Sequence, residues 1–284
     1  ICLLIFYSVN ISAAREKGVQ SRISLQQSLN FFGFSAGPED GVLGPRTQKA
    51  ISKMQSCLAE KKLEILSKTS QEFLIESYNI AKAQKLIGSC ALLKTFVGSA
   101  YQCPPPNWTQ LFSCSFSSEN RLVTVCGARE QARFRFGREG RMPELSLLQG
   151  LKDIYVPWMG VGRYQNEAIT FEKNGDKYKI YSSKDRLRDD KHFSAGVDII
   201  QSDRIVASMT CDEENVEAAI PEASNLLAKL GQCWNRDNAI WGACQKEGGW
   251  VRFIDGPVFP YEAYQLGEFF SPCDKLAADA ELQG

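Results

Sequence analysis

Histidine is nearly missing from this chain of 284 residues, with His192 the single example. A Ser-His-Asp or Cys-His nucleophile would hang on that one residue, and a histidine-rich zinc centre would lack ligands. His192 itself stands in a charged run, Asp-Asp-Lys-His-Phe, and reads as a solvated surface residue. Net charge is missing too. Thirty-three Lys and Arg balance 33 Asp and Glu, which removes the overall basic footprint of a nucleic-acid or anionic-membrane binder. No Cys-x-x-Cys occurs, against both a zinc ribbon and a redox dithiol. Beyond the first residues no run approaches the ~20 apolar residues of a membrane-spanning helix. The composition of a disordered chain is also lacking, since 44% of residues are hydrophobic and 11% aromatic. The length suits two domains, or one with an appendage.

Cysteine is what the chain has in quantity, ten in all. Residues 1–7 are the apolar run Ile-Cys-Leu-Leu-Ile-Phe-Tyr, followed by small residues at Ser12 and Ala14. This pattern predicts a truncated secretory signal over 1–14, cleaved after Ala14, with a buried N-terminal strand as the alternative. Export predicts a periplasmic or secreted location, where cysteines pair as disulfides. Nine then remain: Cys57, Cys90, Cys103, Cys114, Cys126, Cys211, Cys233, Cys244 and Cys273. An odd number leaves one free or intermolecular, and spacing alone does not assign the pairs.

From Ser21 the period is helical. Leu25, Leu29 and Phe32 make one apolar stripe that ends at Gly33, a residue suited to the left-handed closing position. Gly37-Pro38-Glu39-Asp40-Gly41 is dense in turn-forming residues. Gly44-Pro45 then starts a second helix with apolar Ala50, Ile51 and Met54, and a weaker third is predicted around Ser70–Ser77. These residues resemble the peptidoglycan-binding-like domain of bacterial cell-wall proteins over about 20–78. The family pattern is met by Leu25, Gln26, Leu29, Gly33, Phe34, Asp40, Gly41, Gly44, Pro45, Thr47, Ala50, Ile51 and Gln55. The charged stretch Cys57–Lys62 departs from it, lacking the second glycine turn.

The resemblance implies a three-helix fold and peptidoglycan, or another cell-wall glycan, as ligand. Phe34, Asp40, Gly41, Gly44, Arg46 and Thr47 are the candidate binding residues. Backbone N–H groups at the start of the second helix and the Arg46 cation suit a stem-peptide carboxylate, while Asp40 accepts from hydroxyls or amines. Most of the matched residues are structural, however, and a fold does not by itself carry a function.

Residues 79–106 read as a helical segment (Leu86, Ile87, Cys90, Leu93, Phe96, Val97) closing on the stiff Pro104-Pro105-Pro106 linker. Over 107–284 the period shifts to two. Asn174-Gly175 between Ile169-Thr-Phe171 and Tyr178–Tyr181 predicts a hairpin with a type I′ turn, and Gln201-Ser-Asp203 a second hairpin. Strands at this spacing predict an antiparallel barrel or sandwich. A helix is expected over Val216–Leu230, broken near its start by Pro221, and an irregular cysteine-rich tail stapled to the strands is expected after it. The fold class is therefore α+β: a small three-helix module plus an antiparallel β barrel or sandwich with a C-terminal helix and tail. Phe112, Cys114, Val123, Cys126, Phe136, Gly137, Pro143, Glu144, Leu145, Trp158, Gly160, Gly162, Arg163, Gly196, Val197, Cys211 and Asp212 resemble uncharacterised secreted domains of alphaproteobacteria, which imply no activity.

The residues support no catalytic assignment, no metal and no cofactor. Zinc amidases need further histidines, and no Gly-x-Ser-x-Gly or Ser-x-x-Lys stands out as a nucleophile turn. Glu144 and Glu167 survive as carboxylates that a glycoside hydrolase or lytic enzyme could use. Trp158 and Arg163 of Trp-Met-Gly-Val-Gly-Arg are the ligand-binding candidates of the larger part, through stacking on a sugar and pairing with an anion. The sequence thus favours an exported, non-catalytic peptidoglycan-binding protein. Its rivals are a carboxylate-based wall hydrolase and a scaffold that docks a periplasmic protein.

Overall fold

The structure is a computed structural model that describes residues 18–59, 66–104, 106–116, 120–157, 163–185, 187, 193–245 and 250–251. The expected signal over 1–14, Trp158, His192 and Cys273 lie outside these residues. The chain is α+β and divides into two compact units, Ile1–Ala100 with Gly137–Leu145, and Tyr101–Phe136 with Ser146–Gly284.

The first unit is helical. Helix α1 covers 18–31 and turns its stripe of Leu25, Leu29 and Phe32 fully inward. Gly33 closes it at φ +87°, a conformation that favours glycine because it has no Cβ. Helix α2 (Pro45–Cys57) opens on proline and buries Ala50, Ile51 and Met54. Helix α3 (Lys68–Ala83) starts at Ser67, whose hydroxyl accepts from the Ser70 N–H at 3.1 Å. Helix α4 (Cys90–Gly98) starts likewise at Ser89.

The stretch expected to be helical from Leu86 is different. Leu86 and Ile87 are exposed in the connector between α3 and α4, Ile87 to 89%. Close packing explains the interruption. A Cβ on Gly88 would sit 2.0 Å from the Phe31 carbonyl oxygen, so the backbone passes where only glycine fits. Ser89 then caps a new helix, and the Cys57–Cys90 disulfide ties the end of α2 to its start.

The second unit is built on two antiparallel sheets. Strands β1 (Thr109–Phe116), β2 (Arg121–Ala128), β3 (Gln131–Arg138) and β4 (Leu145–Gly150) form a meander, with β9 (Glu217–Ala218) added beside β1. Strands β5 (Tyr164–Lys173), β6 (Asp176–Asp185), β7 (Phe193–Gln201) and β8 (Arg204–Thr210) form the other sheet, in sequence order. Asn174 and Gly175 both take positive φ at the first expected hairpin, and Ser202 and Asp203 do so at the second. Phe134 of β3 stands 5.6 Å from Phe171 of β5 and 6.1 Å from Tyr178 of β6, centroid to centroid. The sheets therefore pack face to face as a sandwich, not a closed barrel. The Cys114–Cys211 disulfide spans them, and Cys103–Cys126 anchors the segment preceding β1.

Two expectations for the C-terminal region change. Helix α5 spans Pro221–Lys229, and Pro221 begins it instead of breaking it. Proline lacks an N–H that the first helical position does not use, so the residues before it extend and pair, as β9 does with β1. The tail is not wholly irregular. Strands β10 (Gln232–Asn235), β11 (Ile240–Ala243) and β12 (Trp250–Val251) make a small sheet. Its disulfide, Cys233–Cys244, is internal to it. A hydrogen bond of 2.7 Å from Trp241 Nε1 to the Val156 carbonyl holds it to the segment before β5.

Candidate functional site

The loop from Gly33 to Pro45 carries most of the candidate residues of the helical unit, and one buried side chain organises it. Gln26 lies on the inner face of α1, 1% exposed. Its Oε1 accepts from the Gly41 N–H at 2.7 Å. Its Nε2 donates toward Asp40 Oδ1 at 3.2 Å, the Val42 carbonyl at 3.1 Å and Thr47 Oγ1 at 3.4 Å. Both ends of a buried amide are thereby used, as burial requires. Thr47, also 1% exposed, donates to the Ala36 carbonyl at 3.2 Å. Asn30 closes the other side, accepting from the Ala36 N–H and donating to the Gly37 carbonyl. Arg22 Nε donates to the Gly41 carbonyl at 2.8 Å.

Gly41 takes φ +78°, and a Cβ there would stand 3.1 Å from Val19 Cγ1. Both backbone angle and packing call for glycine. Asp40 points outward and accepts from the Val42 N–H at 2.9 Å. That bond, followed by the one from Gln26, holds its carboxyl below the ordinary value of 3.8. Hydrogen bonds to a carboxylate favour its charged form.

Residues 19–57 match the family model of the putative peptidoglycan binding domain. This segment is similar to a peptidoglycan-binding-like domain. It holds α1, the loop and α2. No curated protein and no solved structure matches the chain, and the likeness of residues 112–212 to secreted alphaproteobacterial domains finds no counterpart there.

Within this segment the candidates separate by burial. Phe34 (6% exposed) and Thr47 are core, and Gly41 is buried with them. Their side chains build the loop from inside. Asp40 and Arg46 are on the surface, with Val42 65% and Leu43 37% exposed between them. Gly44 precedes α2 with no side-chain cap. Its own N–H bonds to the Val42 carbonyl at 2.9 Å. Pro45 has no N–H, so the orphan donors of this helix start belong to Arg46 and Thr47. The outer surface thus combines an anion, a cation, two backbone donors and two apolar side chains.

In the second unit Arg163 is already engaged. Its Nε and Nη2 fork onto Asp185, the shortest distance being 2.8 Å. The Asp185 side chain is only 3% exposed. The bond and the charge of Asp185 raise the Arg163 proton affinity above its ordinary value. Glu144, within the Gly137–Leu145 stretch of the first unit, is exposed and pairs with Arg138 at 3.8 Å. Glu167 is 5% exposed and accepts from Gln165 Nε2 and, at 3.0 Å, from Ser182 Oγ. Sequence reasoning picked out Glu167 but missed Gln165, Ser182 and Lys184. The available signal was a pair of polar residues at inward positions of two strands that otherwise alternate.

Proposed function

We propose that the protein is an exported, non-catalytic peptidoglycan-binding protein that contacts the wall through the surface of residues 39–46. The observation that carries this reading is the family match over 19–57, whose Asp40-Gly41 turn is held rigid from beneath by Gln26. Asp40 receives hydroxyl or amine donors of the wall polymer. Arg46 and the orphan N–H groups of α2 receive a stem-peptide carboxylate. Val42 and Leu43 supply apolar contact to a sugar face. Four disulfides among the described residues support an extracytoplasmic location, and no helix among those residues is long and apolar enough to cross a membrane.

The rival reading, a carboxylate-based glycoside cleaver, needs one carboxyl held protonated. Of its two candidate carboxylates Glu144 is exposed and pairs with Arg138 at 3.8 Å. The test is co-sedimentation of the full chain with purified insoluble sacculi. Retention is expected, with a loss of about tenfold or more in Asp40→Ala/Arg46→Ala, as two charge-assisted contacts vanish. Protein that stays wholly in the supernatant would refute the reading.

A further inference from the structure

Strand β8 is exposed along almost its whole length. Of the residues Arg204–Thr210 only Met209 is half-buried, and Ile205 and Val206 are 61% and 54% exposed. The strand pairs with β7 on one side and ends its sheet, with no strand beside its other edge among the described residues. A hydrogen bond from the Cys211 N–H to the Ala195 carbonyl fixes which backbone groups face β7. N–H and C=O groups point alternately to the two sides of an antiparallel strand, so Met209 and Ala207 face β7 as Cys211 does. The packing agrees, since a Cβ on Gly196 of β7 would meet the Met209 carbonyl. Ser208 and Thr210 therefore turn their N–H and C=O groups outward, away from the sheet.

Such an edge is a template for pairing, and proteins ordinarily blunt it with lysine, proline, a bulge or a very short strand. β8 has seven residues and neither lysine nor proline. Its bulge falls at Val206, against Ile199 and Ile200, and leaves Ala207–Thr210 in regular register. The two ends of the strand carry opposite charge. At its start Asp203 is already held by Lys177 at 2.8 Å, which leaves the exposed Arg204 as the surplus charge of that turn. Just past its end stand Glu213 and Glu214, both exposed. Two copies of β8 laid antiparallel bring the basic end of each to the acidic end of the other, whereas parallel pairing sets like against like. We propose that β8 is the contact strand of a homodimer, in which the outward groups of Ser208 and Thr210 pair across a two-fold axis and join two sheets into one. The functional consequence, two polymer contacts in one particle, rests on the wall-binding reading; the dimer itself does not.

The test is sedimentation equilibrium of the full chain without wall polymer. A monomer–dimer equilibrium with a Kd below about 1 mM is expected, the weak range of a small interface. Thr210→Pro removes an outward N–H that no ladder bond within the chain uses, and should raise the Kd about tenfold or more. Arg204→Glu should raise it about threefold or more by setting like charges together. Hydrogen exchange reads the register. With rising concentration the Ser208 and Thr210 amides should slow by a larger factor than those of Ala207 and Met209, which are bonded within the sheet in either state. If circular dichroism shows Thr210→Pro misfolded, Arg204→Glu decides. The proposal is overturned by a chain that stays monomeric up to about 1 mM, which would leave the edge to a strand of another protein. It is equally overturned by a dimer whose Kd is unchanged in the deciding variant, or by Ser208 and Thr210 amides whose exchange does not depend on concentration.

Discussion

The side-chain oxygen of Gln26 accepts a 2.7 Å hydrogen bond from the backbone N–H of Gly41, a residue 15 positions along the chain. Both groups are buried, so the bond is not exchangeable with water at no cost. It fixes the left-handed Gly41, and through Gly41 the outward direction of Asp40. A residue that touches no solvent thus sets the shape of the surface proposed to meet the wall.

Gln26→Leu keeps the side-chain volume but strands the Gly41 N–H and the partners of Nε2. One buried unsatisfied group costs roughly 1–3 kcal/mol, and the variant is expected to lose about 2–3 kcal/mol. Urea unfolding of the full chain, read by far-ultraviolet circular dichroism, measures it. Amide exchange at Gly41 should accelerate in parallel. A change below about 0.5 kcal/mol, the scale of an ordinary surface substitution, would contradict the role assigned to Gln26.

Asp40 predicts an acid dependence of the same loop. Its folded value lies below the ordinary 3.8, first through the Val42 N–H and then through Gln26. Protons therefore bind the unfolded chain more readily than the folded one. The stabilisation is complete above 3.8 and disappears as pH falls through the lower folded value. A carbon-detected titration should place the Asp40 midpoint under 3.8, and Asp40→Asn should lose less stability in acid than the parent chain. A midpoint at or above 3.8 would show that the turn does not hold the carboxylate as described.

The disulfides should differ in worth. Cys114–Cys211 joins residues 97 apart and Cys233–Cys244 residues 11 apart. By chain entropy the first contributes about 4.7 kcal/mol and the second about 2.8 kcal/mol. Cys114→Ala/Cys211→Ala should accordingly lower the thermal midpoint more than Cys233→Ala/Cys244→Ala. Scanning calorimetry of both variants checks the order, and a reversed order would count against a loop-closure origin.

Legibility in the sequence tracked the range of the interaction. The α1 stripe, its Gly33 stop, the start of α2 at Pro45 and the Asn174-Gly175 turn could all be read directly, because each depends on neighbours within a few residues. Pro221 reads from the sequence as a break because a proline suits either a helix end or a helix start, yet it opens α5. Which one applies depends on what precedes it, here residues that add a strand beside β1. Leu86 and Ile87 looked like core by type, yet the connector exposes them because Gly88 must pass against Phe31.

Among the site candidates, motif membership did not distinguish surface from scaffold. Phe34 and Thr47 match the family pattern as well as Asp40 does, but the first two are buried and the third is exposed. Arg163 looked available for an anion and is instead forked onto Asp185, 22 residues away. Glu167 could be singled out alone. Its partners emerged only with the β5–β6 register, which sets Glu167 across from Ser182 and Gln165 across from Lys184.

By itself, then, the sequence determined the helical module, the strand-rich remainder, the hairpin turns and the near-absence of histidine. These follow from backbone preferences, hydrophobic period and composition, all of which act locally or by count. Tertiary structure alone decided the four cysteine pairs, the inward turn of Gln26 and the joint polar step in β5 and β6. Each of those depends on which distant atoms come within bonding distance. That is settled by how whole elements pack, and no short window of residues contains it.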